Sequence, residues 1–235
     1  MSRESQLNIK TALPHVIMAC AVLAGLGRGV GKWLKNEPEW SYYRQLVYQP
    51  LAEVCGPDKP IFGYLPGIKN LLAPFVLTEP AGYVLFALFN ALACIGIYLF
   101  VHRHFTDAEN NPIPRGTSLL WLSICSAIPS WFALQNNQLV APAVFLTLLA
   151  FSQVAQKRDI LAGIVFALAI VLKTLTLPAL LFPLLCRRWG VIVATTVSLV
   201  ILSIGSDCMT EGMHGGIRNH LAWPSQVIAQ TPSGR

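Results

Sequence analysis

Long blocks of apolar residues, rather than amphipathic stripes, organise this chain. The first block covers about residues 12–30, ALPHVIMACAVLAGLGRGV, behind a short polar start that carries Arg3 and Lys10. No small-x-small cleavage site precedes a polar mature domain, so this block reads as an uncleaved span and not as a signal peptide. Further apolar runs lie at about 81–101, 117–134, 138–152, 159–173, 177–186 and 189–205. Together they predict about seven transmembrane helices. Several are shorter than the ~20 residues of an upright span. Short, proline-interrupted spans are tolerated where the broken backbone is buried in protein or lines a wet cavity. The expected fold is all-α, a polytopic membrane helix bundle in one domain, residues 1–235.

Between the first two spans runs the longest polar region, residues 31–80, rich in Trp, Tyr and Pro. Trp33, Trp40, Tyr42, Tyr43 and Tyr48 suit an aromatic belt at a membrane surface. Its tail, GIKNLLAPFVL, is too short to span and predicts an interfacial or re-entrant helix. The chain closes with a polar stretch, 206–235, and shows no clear internal repeat, so the inverted-repeat transporter signature is not evident.

Composition and charge sharpen this picture. Hydrophobic residues make up 54% of the chain and charged residues 12%, about half the charged share of a soluble domain; the mean hydropathy is +0.55. The net charge of +6 does not point to nucleic acid, because the basic residues sit in short loops between apolar runs and not on one solvated face. QKRD at 156–159, RRW at 187–189 and HRHFTDAENNPIPRG at 102–116 are the basic connections. Short basic loops face the cytoplasm. With residues 1–11 inside and seven spans, the 31–80 loop, QNNQ at 135–138, KTLT at 173–176 and the 206–235 tail face outward. Cys20, Cys94, Cys125 and Cys186 fall in or beside apolar runs, where a thiol acts as a small hydrophobe. Cys55 and Cys208 lie in polar loops, and a disulfide between them is one outcome if both meet an oxidising side.

The outward set then holds the candidate chemistry. Glu37, Glu39, Glu53 and Asp58 come from the first loop, Asn137 and Gln138 from the 135–138 turn, Lys173 from the end of a span, and Asp207, Glu211, His214 and His220 from the tail. Lys offers a compact charge to a phosphate, a carboxylate can take a hydroxyl proton, and Trp or Tyr can cover a sugar face or acyl stem. Two readings stand side by side. Lys173 is either such a phosphate ligand or a snorkelling marker of the membrane surface; Glu39 is either a base or a solvated loop acid. His102 and His104 have no third ligand nearby in sequence, so no metal is expected.

The block NNQLVAPAVFLTLLAFSQVAQKRDILAGIVFALAIVLKTLTLPALLFPLLCRRW resembles the signature region of GT87-type membrane glycosyltransferases. These are polyprenyl-phosphate-sugar-dependent enzymes of the GT-C superfamily, mostly α-mannosyltransferases. Gln138, Lys157, Arg158, Ala162, Gly163, Lys173, Pro178, Arg187, Arg188 and Trp189 carry the match, with Glu39, Tyr42, Tyr43 and YLPGIKNLLAPFVL in the first loop. The resemblance covers about 35–80 and 117–205. It implies a GT-C-like bundle with an extracytoplasmic first loop. It also implies transfer of a hexose, mannose foremost, from a polyprenyl-phosphate donor to a lipid or glycan acceptor at the outer face of the cell membrane, without a cofactor. By the resemblance Glu39 is the base, with Asp58 the competing carboxylate. Lys173 holds the donor phosphate; Gln138 and Asn137 bond sugar or phosphate; Tyr42, Tyr43 and Tyr64 shape the pocket. The chain departs from the pattern at Glu39 for Asp, Asn137 for Gly, Thr174 for Pro and Leu65 for Pro. It also stops after about seven spans where relatives continue, which leaves three expectations open: a truncated product, a half completed by a second chain, or a degenerate member without activity. The alternative is a non-enzymatic membrane protein, an inactive family member or a transporter. A transporter should place ionisable groups near the midplane, whereas here they gather at span ends.

Overall fold

A computed structural model describes residues 3–48, 65, 67–106, 115–210, 212–214, 217, 218, 220 and 221. The described secondary structure is helical throughout: α1 (Arg3–Leu34), α2 (Pro38–Tyr48), α3 (Ile68–Leu77), α4 (Ala81–Thr106), α5 (Arg115–Gln135), α6 (Val140–Ala155), α7 (Asp159–Leu172), a 3-10 segment (Thr174–Leu180), α8 (Leu181–Leu185) and α9 (Trp189–Leu199), which continues through a π-helical turn (Val200–Gly205). Three helices among the described residues are long and apolar enough to cross a membrane: Ala12–Leu34, Ala81–His104 and Trp189–Thr210. Ile68–Leu77, Leu120–Gln135, Val140–Ala155, Asp159–Leu172 and Thr174–Leu185 are shorter apolar helices. The all-α membrane reading is thus met.

Several boundaries differ from the sequence expectation. The expected span 177–186 is a 3-10 segment followed by five residues of α-helix. Pro178 and Pro183 are the cause, since each lacks the N–H and crowds the carbonyl four residues back. The last helix does not stop at 205 but runs on to Thr210. Within 31–80, the structure places α2 and the expected short helix α3.

Cα packing divides the chain into two units, Met1–Glu39 with Leu85–Ala141 and Trp40–Val84 with Pro142–Arg235. In the first unit α1 lies against α5. A Cβ on Gly25 would stand 2.8 Å from Leu134 Cβ, and one on Gly29 would stand 2.6 Å from the Leu134 carbonyl oxygen. Lipid tails are as apolar as side chains, so spans associate through such close backbone contact, which small residues four apart permit. Lys32 Nζ donates to Asn136 Oδ1 at 2.7 Å, tying the C-terminal ends of α1 and α5. His15 and His102 meet with ring centroids 5.2 Å apart, and Tyr98 Oη is 3.0 Å from His15 Nδ1. His104 turns away, donating from Nδ1 to Phe100 O at 2.8 Å.

The second unit is built on α6, α7 and α9. Ala150, Val154, Ala162, Phe166 and Val191 form its buried cluster, with Phe151 edge-on to Phe166 at 5.4 Å. Gly163 lets α7 and α9 touch: a Cβ there would stand 2.4 Å from Ala194 Cβ and 2.8 Å from Thr195 N. At their starts, Gly190 lies over Asp159, with a Cβ position 3.1 Å from Asp159 Cβ. The helices therefore run parallel with an offset of 31 residues.

Candidate functional site

Four helix ends share one backbone solution. Glu37 N bonds Lys32 O, Gln138 N bonds Ala133 O, Arg158 N bonds Gln153 O and Arg188 N bonds Pro183 O, at 2.9–3.1 Å. The residue before each donor is left-handed: Asn36, Asn137, Lys157 and Arg187 have φ of 55°, 51°, 59° and 54°. This is the Schellman closure. Asn tolerates φ > 0 because its short amide bonds locally, whereas Lys and Arg carry the full steric cost. Asn137 is buried and Gln138 half-buried, so both expected polar residues sit in a tight, defined turn of the first unit.

The two basic turns lie together. Arg188 Nη2 donates to Asp159 Oδ1 at 2.5 Å, and Asp159 occupies the first turn of α7, where a negative charge also meets the positive end of the helix dipole. Lys157, Arg158, Arg187 and Arg188 thus mark one end of the second unit. A cavity of about 480 Å³, lined by Phe151, Val154, Phe182, Cys186 and Arg188 among others, also opens at this end.

Lys173 marks the other end. It closes α7, its N–H bonding Ala169 O at 2.9 Å, and turns to extended backbone at φ −155°. Its carbonyl accepts from Thr176 Oγ1 at 2.9 Å, which starts the 3-10 segment. The side chain is half-buried. The offset of the α7–α9 pair sets Lys173 level with residues 204–206, at the π turn.

Just past that level sits Asp207, a carboxylate 3% exposed. Asn70 Nδ2 on α3 donates to Asp207 Oδ1 at 2.9 Å and to Ser206 Oγ at 3.1 Å. His220 Nε2 is 3.1 Å from Asp207 Oδ2 and 3.4 Å from Ser203 Oγ. Gly67, at the start of α3, reaches this turn so closely that a Cβ would stand 2.6 Å from Ser203 Cα.

In the first-loop region, Trp40, Tyr43 and Arg44 share one face of α2 by their i, i+3, i+4 spacing. Trp40 Nε1 donates to Glu79 Oε1 at 2.9 Å, Arg44 Nε donates to Glu79 Oε2 at 2.8 Å, and Arg44 Nη2 completes a fork on Oε1. The Glu79 hydrogen bonds raise the Arg44 pKa above its usual value, outweighing the lowering by burial. Trp40 stands edge-on to Tyr43 at 6.0 Å and to Tyr83 at 5.0 Å, and all three rings are buried. Tyr43 is thus part of the core that seats α2.

Glu39 and Tyr42 lie on α2 by their backbone, and their side chains fall outside what the structure describes. Asp58, Tyr64, Cys55 and Glu211 lie outside the described residues. Cys208 is a thiol 3.8 Å from Met213 O. Sequence reasoning missed Glu79, Arg44 and Asn70, and saw Asp207 and His220 only as tail residues. The i, i+3, i+4 pattern of Trp40, Tyr43 and Arg44 is the one available signal.

A protein-family model described as glycosyltransferase family 87 matches residues 62–210, more than half of the chain. No curated protein and no solved structure matches it. Gln138, Lys173 and Asp207 lie inside the matched region, Glu39 and Asp58 precede it, and His220 follows it.

Proposed function

The chain belongs to glycosyltransferase family 87, and on that footing we propose that it moves a hexose, mannose foremost, from a polyprenyl-phosphate carrier to a hydroxyl of a lipid or glycan. The reaction takes place at the outer face of the cell membrane, which the chain crosses several times. The observation that carries this reading is the polarity of the second unit. Four cations gather in two short turns at one end of the α7–α9 pair; Lys173 stands at the other, with Lys69 beside Asn70 and Arg218 two residues before His220. Basic turns stay in the cytoplasm, so Lys173 faces outward, where a lipid-borne donor is presented.

The chemistry follows from these roles. The Lys173 ammonium pairs with the donor phosphate and offsets the charge that grows on it as the C1–O bond breaks. Glu39 takes the proton of the acceptor hydroxyl as that oxygen bonds C1; Asp58 is the competing carboxylate for this step. The Glu79 fork on Trp40 and Arg44 supports Glu39, because it seats the helix that carries this acid. Asn137 and Gln138 bond sugar or phosphate oxygens, Tyr42 and Tyr64 belong to the walls, and Tyr43 packs in the core that seats α2. A general base contributes roughly 10²–10⁴ in rate. Glu39→Gln in a radiolabelled polyprenyl-phosphate-mannose transfer assay should therefore fall to a hundredth of the parent rate or less. Unchanged turnover removes Glu39 as base and passes the role to Asp58.

A further inference from the structure

Asp207 is the most enclosed acid that the structure describes in full, at 3% exposure. A buried carboxylate needs partners, because it has given up the water that would otherwise solvate its charge. Its partners are the Asn70 amide and the His220 ring. An ionised carboxylate only accepts hydrogen bonds, so the Nε2 facing it carries the hydrogen; in the neutral imidazole the other nitrogen, Nδ1, is then a lone-pair acceptor. Nδ1 has no hydrogen-bond partner among the described residues, and the side chain is 13% exposed.

The ring is therefore held from one side and presents a single acceptor on the other. That acceptor suits a hydroxyl. It does not suit an anion, since Asp207 stands directly behind the ring. Its place matters as much as its chemistry. Asp207 follows the residues level with Lys173 by a single position. A phosphate held by Lys173 has its sugar one bond away.

We infer that His220, oriented by Asp207, accepts a hydrogen bond at Nδ1 from a hydroxyl of the donor's sugar, so that the pair reads which sugar is transferred. This rests on the transferase reading above. No proton changes owner in this contact, so the acceptor's base is a separate group.

The test uses the full chain in lipid nanodiscs, with polyprenyl-phosphate-mannose and its 2-, 3-, 4- and 6-deoxy analogues. Leaving a site acceptor without its hydroxyl costs about tenfold. The parent protein should lose about that factor in kcat/KM for one deoxy donor. His220→Gln keeps an amide at the position of Nε2 and removes Nδ1. It should lose about tenfold on the full donor and nothing further on that same deoxy donor. His220→Asn keeps a polar atom near Nδ1 and should recover part of the loss. If the ring is only a tie between segments, His220→Gln behaves as the parent and His220→Asn does not, and the inference is overturned. It is overturned equally if His220→Gln discriminates among the deoxy donors as the parent does. Binding of the same lipids, followed without turnover by tryptophan fluorescence, gives the comparison even if no sugar is moved. Selective binding without transfer sinks the transferase reading and keeps this contact; transfer without selectivity at His220 does the reverse. Circular dichroism confirms that both variants are folded.

Discussion

The two ends of the second unit each hold a carboxylate with a basic partner, and the pairs differ in their surroundings. Arg188 and Asp159 meet at 2.5 Å with side chains 27% and 32% exposed. Asp207 and His220 meet at 3.1 Å with side chains 4% and 13% exposed. A wet pair gains little, because water competes for both charges. A dry pair must satisfy every lone pair, and Asp207 does so with an amide from another helix. The contrast separates an anchoring end, where loose cations suffice, from an end where geometry is specified atom by atom.

Native cysteines give the sharpest way to break this comparison. Cys186 borders the basic turn and Cys208 follows Asp207. In versions of the protein whose single cysteine is one of these two, a membrane-impermeant maleimide on intact cells should label Cys208 and spare Cys186 until the membrane is permeabilised. Labelling of both from one side would end the polarity argument. Next in size is Lys173→Met. Loss of one preorganised charge contact to the transition state costs about 10²-fold, so the transfer rate should drop by that factor while the melting temperature holds. A parent-like rate would return Lys173 to a surface marker. Asn70→Leu strips Asp207 of its amide and should destabilise the protein by about 1.5–3 kcal/mol, seen in thermal unfolding in detergent. Asp159→Asn, the matching change at the wet end, should cost less than about 1 kcal/mol. Equal losses for these last two would show that burial does not distinguish the pairs.

Much of this architecture is legible in the sequence, and the part that is not has identifiable reasons. The apolar runs at 81–101, 138–152 and 159–173 return as helices α4, α6 and α7 because a lipid-facing backbone must bond within its own segment. Pro178 and Pro183 announced an interruption, but not that the interruption would be 3-10. Lys157 and Arg187 gave no warning of left-handed backbone, since only Gly and Asn advertise it. Their φ is set by the helices that must follow immediately. Glu79 escaped notice because its partners, Trp40 and Arg44, are 39 and 35 residues away. Asp207 and His220 read as tail residues because the apolar run fades at 205, while the helix does not. Lys173, by contrast, was visible at once as a cation placed where hydrocarbon ends.

The π-helical turn at Val200–Gly205 has one more consequence. Such a turn holds one residue more than an ordinary helical turn. Deleting a single residue inside it would let the helix relax to regular winding and leave everything beyond on the same face, because the residue removed is the extra one. Ser206 and Asp207 would still face Asn70, whereas the same deletion in the regular winding of α9 would swing them away by about 100°. For this protein a one-codon deletion is therefore a milder lesion in the π turn than in the helix just before it.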